Sequence, residues 1–112
     1  MENVWLSVPD VADMLDVRHR DVRVLVSDHT LLAVRREDNT AAVIHRDELV
    51  WDGERWSVLS SLRGTILALL DAGFSENEAM EWLLSPNDLL RDESPLSQLR
   101  AGNIHAVRRA VF

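Results

Sequence analysis

Cysteine and lysine are absent from this sequence of 112 residues, and it contains no long hydrophobic run. Without cysteine the chain has no disulfide framework, no thiolate zinc site and no thiol nucleophile. No apolar run approaches the roughly 18 residues that a membrane-spanning helix needs. The segment Met1–Trp5 is acidic and lacks the basic and apolar regions of a signal peptide. These absences predict a cytoplasmic protein, and the length suits one compact domain or two small lobes.

The basic residues are all arginines, and acids outnumber them. The chain has 12 arginines against 19 aspartates and glutamates, which gives a net charge of −7. This balance argues against non-specific binding of nucleic acid by the whole surface. The missing lysine fits a GC-rich coding sequence as well as any function. The positions of the arginines are more informative, because residues 17–36 hold five of them against two aspartates, a local net charge of +3.

Two short helices are predicted around this basic patch. Ser7 suits the N-cap of a helix over residues 8–15, and Pro9 suits its first turn. The apolar residues of that segment follow the i, i+3, i+4, i+7 pattern of one buried stripe. After a break at residues 16–18, a second helix is predicted over residues 19–27, with Val22, Leu25 and Val26 facing inward. Two short helices joined by about three residues have the spacing of a helix-turn-helix.

A β-hairpin is predicted next. Residues 32–36 and 41–45 favour strands, and Glu37–Thr40 between them has the composition of a turn. Residues 46–50 are expected to open a short helix, and residues 52–54 to form a turn. We therefore predict a winged helix-turn-helix domain over residues 1–50, a connector over residues 51–59 and a C-terminal helical domain over residues 60–112.

Four helices are predicted in the second half of the chain. They end or begin at clear signals: Gly73 after the first, the capping box Ser75–Glu78 before the second, Ser94-Pro95 before the third and Ile104 at the start of the fourth. The sequence thus predicts a mainly α protein with a small β-hairpin, in which a winged helix-turn-helix is followed by a C-terminal helical lobe.

The local pattern favours DNA as the ligand. In a helix-turn-helix the second helix enters the major groove, where its outward side chains reach base edges and phosphates. The hairpin is expected to act as a wing along phosphates or a neighbouring minor groove. The predicted DNA-binding residues are Arg18, His19, Arg20, Arg23, Ser27, Arg35 and Arg36. Alternatively, Arg20 and Arg23 form a solvated helix face and pair with Asp13, Asp16 or Asp21.

The motifs resemble a known family. Trp5–Val17 is similar to the opening of excisionase/MerR-type winged helix-turn-helix domains, and Val22-Arg23 and Leu32–Arg35 match the segments that follow it there. The second half resembles a family of small actinobacterial DNA-binding proteins in Leu62–Ile66, Leu70–Ser75, Glu78–Leu83, Ser94–Leu96, Leu99–Gly102 and Val107–Ala110. The resemblance implies a winged helix-turn-helix with a C-terminal helical domain and double-stranded DNA as a partner. It further implies a Ser/Thr protein kinase as a partner, because at least one member is a kinase substrate.

Two positions depart from the family pattern. Asp16 stands where many relatives carry glycine, and Arg18 stands where a serine or threonine N-cap is expected. The phosphorylated threonines of relatives lie in N-terminal tails, and this chain has little tail before Ser7. The candidate modification sites near the DNA face are Ser7, Ser27, Thr30 and Thr40, where a phosphate would add about −1.5 to −2 charge and oppose DNA. A homodimer through the C-terminal helices is expected, because one short recognition helix covers few base pairs.

No motif predicts a cofactor, a metal site or an enzyme. The four histidines are scattered without the spacing of metal ligands, and no nucleophile elbow, phosphate loop or paired-acid motif occurs. Trp51, Trp56 and Trp82 are expected to pack in the core between two lobes rather than to form a ligand pocket. The alternative function is a protein-interaction module, antitoxin-like or a kinase-signalling adaptor, that uses the acidic C-terminal helices.

Overall fold

The computed structural model describes residues 4–36 and 41–112. The chain divides into two compact units, the first ending at Leu59 and the second beginning at Ser60. In chain order the elements are β1 (Trp5–Leu6), α1 (Val8–Leu15), α2 (His19–Ser27), β2 (Ala33–Val34), β3 (Val43–His45), a 3₁₀ turn (Arg46–Glu48), β4 (Leu49–Trp51), β5 (Trp56–Val58), α3 (Leu62–Asp71), α4 (Glu76–Leu84), a 3₁₀ turn (Asp88–Leu90), α5 (Pro95–Arg100) and α6 (Ile104–Val111). The mainly α fold class, with a winged helix-turn-helix and a helical C-terminal part, is confirmed. None of the helices formed by the described residues has the length and apolar character needed to cross a bilayer.

Helix α1 begins where the sequence predicts. The Ser7 hydroxyl accepts a hydrogen bond from the backbone N–H of Asp10, and the Asp10 carboxylate accepts one from the Ser7 N–H, both at 3.1 Å. These reciprocal bonds satisfy two backbone donors that the first turn of a helix leaves without partners. Val11 and Ala12 then point into the core of the first unit, where they meet Val22 of α2.

The turn between α1 and α2 depends on the left-handed backbone of Asp16. Its φ and ψ are 57° and 50°, and its N–H donates to the carbonyls of Ala12 and Asp13. This region disfavours most side chains, whereas aspartate tolerates it better because its short polar side chain hydrogen-bonds locally. The departure from glycine at this position is therefore accommodated without losing the turn.

A three-stranded antiparallel sheet with the order β1-β3-β2 carries the predicted hairpin. Ala33 pairs with Ile44 and Val34 with Val43, so the two predicted strands are confirmed. The turn predicted at Glu37–Thr40 lies outside the described residues. The sequence did not predict β1, which pairs Trp5 with His45 along the other edge of β3, because two residues are too few to show an alternating pattern.

Residues 46–58 differ from the prediction. A short helix was expected over residues 46–50, but a single 3₁₀ turn ends at Glu48, and β4 then pairs with β5 in a second hairpin. The predicted turn at residues 52–54 is present, since the Asp52 carboxylate accepts hydrogen bonds from the N–H groups of Glu54 and Arg55. The segment predicted as a connector thus contains a strand, because Trp56 and Val58 pack against the core of the first unit.

Glu48 is a fully buried acid at the start of this second hairpin. One of its oxygens accepts a hydrogen bond from the Leu32 N–H at 2.7 Å, and the other accepts one from the His45 N–H at 3.1 Å. Burial outweighs these two hydrogen bonds and raises the pKa of Glu48 to about 8.

The second unit contains the four predicted helices. Helix α3 contacts α4 and α6, and α5 contacts the same two helices. Leu62, Ile66 and Leu69 of α3 are buried. Ile104 is the first residue of α6, as predicted, and 36% of its surface is exposed.

Candidate nucleic-acid interface

Helix α2 presents a polar face away from the core. Val22 is buried, and Leu25 and Val26 pack against the core of the first unit, as the predicted stripe requires. On the remaining surface the exposed residues are His19, Arg20, Arg23, Val24 and Ser27. The amphipathic pattern of the sequence therefore places four of the predicted DNA-binding residues on one solvent-exposed helix surface.

The start of α2 has only one of the two hydrogen bonds of a capping box. Arg18 is the N-cap residue and makes no side-chain capping bond, as expected from the departure at this position. The Asp21 carboxylate accepts hydrogen bonds from the Arg18 N–H at 3.1 Å and from its Nε at 3.4 Å. The hydrogen bond from the Arg18 backbone holds the pKa of Asp21 below its ordinary value. Asp21 thus partly neutralises Arg18, the side chain of which is 74% exposed.

Among the described residues, neither Arg20 nor Arg23 forms an ion pair with Asp13, Asp16 or Asp21. The ion pair at the start of α2 joins Asp21 to Arg18, the N-cap residue, instead. Arg20 adds a weaker electrostatic influence on Asp21. Arg20 and Arg23 therefore direct their charge mainly to solvent, where a phosphate could meet it.

Two exposed arginines follow β2 where the wing begins. The Arg36 guanidinium lies over the Trp5 ring, 4.5 Å from its centroid. Trp5 in turn meets the His45 ring edge-on at 4.9 Å, with an angle of 87° between the rings. Trp5 and His45 are not among the DNA-binding residues that the sequence predicts. No local signal could have found them, because the contact joins residues more than 30 positions apart.

Helix α2 and the segment after β2 line one cavity. Arg23 of α2 and Arg35 after β2 both line it, together with residues at the start of α1. Two arginines that are twelve residues apart in sequence are thus brought to one surface of the first unit. The structure places Arg18 and His19 at the start of α2 and Arg36 at the Trp5 ring, and their roles in binding remain predictions.

The hydroxyl groups of the candidate modification sites differ in their hydrogen bonds and exposure. The Ser7 hydroxyl caps α1, and the Thr30 hydroxyl donates to the Asp28 carboxylate at 2.6 Å. Ser27 is exposed on α2, and Thr40 lies outside the described residues. Within the described ranges no three His, Asp or Glu side chains are grouped so that they could hold a metal ion.

Trp51 and Trp56, both predicted for the core, differ in their exposure to solvent. Trp56 packs against the core of the first unit, whereas 54% of Trp51 is exposed although the two rings lie 5.5 Å apart. Trp51 is the last residue of β4 and pairs with Trp56 beside the turn, where less of the core is left to cover it. The prediction of a core position is therefore wrong for Trp51.

Comparisons with known proteins decide the family. Residues 2–43 match the family model described as "DNA-binding protein Rv2175c, wHTH domain", and residues 59–111 match the "Rv2175c C-terminal domain of unknown function". The solved structure titled "NMR structure of Rv2175c" is 30% identical, covers 96% of this chain and is itself covered over 78% of its length, with a TM-score of 0.76. The chain belongs to the Rv2175c family. No curated protein sequence matches it.

The family assignment confirms the resemblance drawn from the sequence. The two matched ranges correspond to two domains, a winged helix-turn-helix and a separate C-terminal domain. The winged helix-turn-helix of the Rv2175c family is described as the domain of a DNA-binding protein, whereas the C-terminal domain has no known function.

Proposed function

We propose that this member of the Rv2175c family binds double-stranded DNA and regulates transcription. Helix α2 enters the major groove, and the Arg35–Arg36 segment clamps the adjacent backbone as a wing. The observation that carries the proposal is the shared cavity of Arg23 and Arg35, which puts helix and wing cations on one surface. The DNA-binding description of the matched winged helix-turn-helix model supports the same ligand.

The charge distribution gives the binding a defined orientation. The net charge of −7 repels DNA from most of the surface, while residues 17–36 carry a local net charge of +3. A contact restricted to this patch involves about 4–6 phosphates, so the log–log dependence of affinity on salt has a slope of about −4 to −5. Binding is therefore modest at physiological salt and strong at low salt.

A charge-matched pair of variants tests the proposal. Arg20→Ala with Arg23→Ala removes two exposed cations from α2, and Arg55→Ala with Arg109→Ala removes two exposed cations elsewhere. The first pair is expected to weaken binding of a mixed-sequence duplex by about 100-fold or more at low salt. The second pair is expected to lose about twofold, through net charge alone. Circular dichroism checks that both variants keep the helical fold.

A mobility shift decides the outcome. If the unaltered protein gives no shift at about 50 mM salt, or if both double variants lose affinity equally, the α2 surface does not bind DNA. Genome-wide mapping of bound DNA separates a regulator from a protein without preferred sites, since a flat map contradicts sequence-specific regulation.

Assembly, location and modification remain further predictions. A homodimer through the C-terminal helices would present two recognition helices to half-sites about one helical turn apart, which light scattering tests by mass. A cytoplasmic location on the nucleoid follows from DNA as the ligand. A Ser/Thr kinase is a proposed partner, tested by phosphate incorporation at Ser27 or Thr30.

A protein-interaction role for the second unit is the second candidate function. A cavity of this unit is lined by Phe74 and Trp82 beside the carboxylates of Glu78 and Glu81. Apolar rings flanked by acids suit a basic amphipathic segment of a protein partner. Binding of such a segment would survive Arg20→Ala with Arg23→Ala and would be lost in Trp82→Ala, which separates this role from DNA binding.

A further inference from the structure

A cavity of about 410 Å³ opens in the first unit between the start of α1, helix α2 and the β2–β3 strands. Its walls are apolar, formed by side chains that include Val8, Pro9, Val26, Ala33 and Ala42. The volume falls within the range of about 300–1,000 Å³ that is typical of small-molecule sites. An apolar ring would lose water and gain contacts on such a wall.

Two arginines are among the residues that line this apolar cavity. Arg23 comes from α2 and Arg35 from the segment after β2, and both residues are exposed enough to reach a ligand at the mouth. The described residues that line the cavity include no acid. The Ser7 hydroxyl at its edge is engaged by the Asp10 N–H. The two arginines favour an anionic ligand, and the apolar walls favour a ligand with an apolar body.

We propose that this cavity binds a small aromatic carboxylate, with its ring on the apolar wall and its carboxylate between Arg23 and Arg35. Planar guanidinium groups pair with carboxylates through two parallel hydrogen bonds. Such a ligand occupies the same two arginines that the proposed function assigns to DNA. The bound acid consequently competes with DNA, and this second part of the proposal rests on the proposed function.

Backbone-amide NMR of the ¹⁵N-labelled full chain tests the site without DNA. Titration with benzoate is expected to shift the amides of Val26, Ala33 and Ala42 along saturating curves. Benzyl alcohol, which lacks the charge, and acetate, which lacks the ring, are expected to bind at least about tenfold more weakly. Arg23→Gln and Arg35→Gln are each expected to weaken benzoate binding by about tenfold, whereas Arg55→Gln, outside the cavity, leaves it unchanged. Linear shifts, equal shifts with benzyl alcohol, or indifference to both cavity variants would overturn the proposal.

Fluorescence anisotropy with a labelled duplex of about 20 base pairs, two helical turns, tests the competition. Benzoate is expected to raise the apparent Kd of DNA in proportion to its occupancy of the cavity, and acetate at equal ionic strength is not. Saturation by benzoate with an unchanged Kd for DNA would overturn the competition. A protein that binds no duplex refutes the proposed function, and the NMR titration still decides the carboxylate site.

Discussion

The buried carboxyl group of Glu48 accepts a 2.7 Å hydrogen bond from the backbone N–H of Leu32, sixteen residues earlier in the chain. Its second oxygen accepts from the His45 N–H. Glu48 thereby ties the second hairpin to the two strands of the wing at their inner ends. A fully buried acid that holds two backbone segments makes the first unit sensitive to the protonation of one group.

Stability is expected to fall as the pH rises from 5 to 8. The pKa of Glu48 is raised from 4.5 to about 8 in the folded state, so the folded protein binds more protons than the unfolded chain in this window. The stabilisation is complete below the unfolded pKa and is lost as the pH passes the folded pKa. Urea unfolding at several pH values measures it. The lowered pKa values of Asp21, Asp52 and Glu78 act at lower pH and do not produce this slope.

Glu48→Gln provides the control for this slope. Glutamine does not titrate, so the difference in unfolding free energy between variant and unaltered protein isolates Glu48 from other groups, including His45. The amide must turn its NH₂ toward one of the two N–H donors, which costs about 1–3 kcal/mol at pH 5. The deficit is expected to shrink toward pH 8. A constant deficit would contradict a carboxyl that ionises in this window.

Trp5 is expected to position Arg36 for DNA. The guanidinium lies 4.5 Å from the ring centroid, and such a cation–π contact contributes about 0.5–1 kcal/mol at an exposed site. Trp5→Leu should therefore weaken DNA binding by about two- to fivefold, and should have no further effect once Arg36→Ala is present. Anisotropy titrations of the double-mutant cycle measure this coupling.

Arg23 serves as the reference in the same cycle. It lies on α2, and Trp5→Leu and Arg23→Ala are expected to act additively. Thermal unfolding of Trp5→Leu checks that the sheet is intact. Additive effects of Trp5→Leu and Arg36→Ala would show that the ring does not orient the guanidinium.

Gly64→Ala is expected to raise the free energy of unfolding only when Arg108 is also replaced. A Cβ at Gly64 would meet the Arg108 guanidinium, the Nε of which donates to the Thr65 hydroxyl at 3.1 Å. Gly64→Ala gains about 1 kcal/mol of helix propensity but loses a hydrogen bond of about the same value. In an Arg108→Ala background the gain of about 1 kcal/mol should appear in full. Denaturant unfolding of the four proteins measures it, and equal effects in both backgrounds would exclude the steric conflict.

Alanine is expected to be less stabilising than glycine at position 16, and glycine less stabilising than alanine at position 13. At Asp16, with φ of 57°, alanine should lower the unfolding free energy by about 1 kcal/mol relative to glycine. At Asp13, an exposed position within α1, glycine should be the less stable by about 0.5–1 kcal/mol. Thermal unfolding of the four variants compares them, and the same order at both positions would argue against a left-handed turn.

The sequence by itself determined the helices and the basic surface. Ser7, Ser75 and Ser94 cap their helices as predicted, because capping is an interaction over three residues and is visible in a short motif. The apolar spacing of α2 likewise fixed which arginines face outward, since the helical period orients side chains before any tertiary contact forms.

Tertiary structure decided the features that join distant segments. The burial of Glu48, the placement of Trp5 against Arg36, and the convergence of Arg23 and Arg35 on one cavity depend on how the strands pair. The second hairpin belongs with them, because Trp56 and Val58 become strand residues through packing on a core built by earlier residues. Local sequence patterns do not predict such partners, because only the folded chain brings them within contact distance.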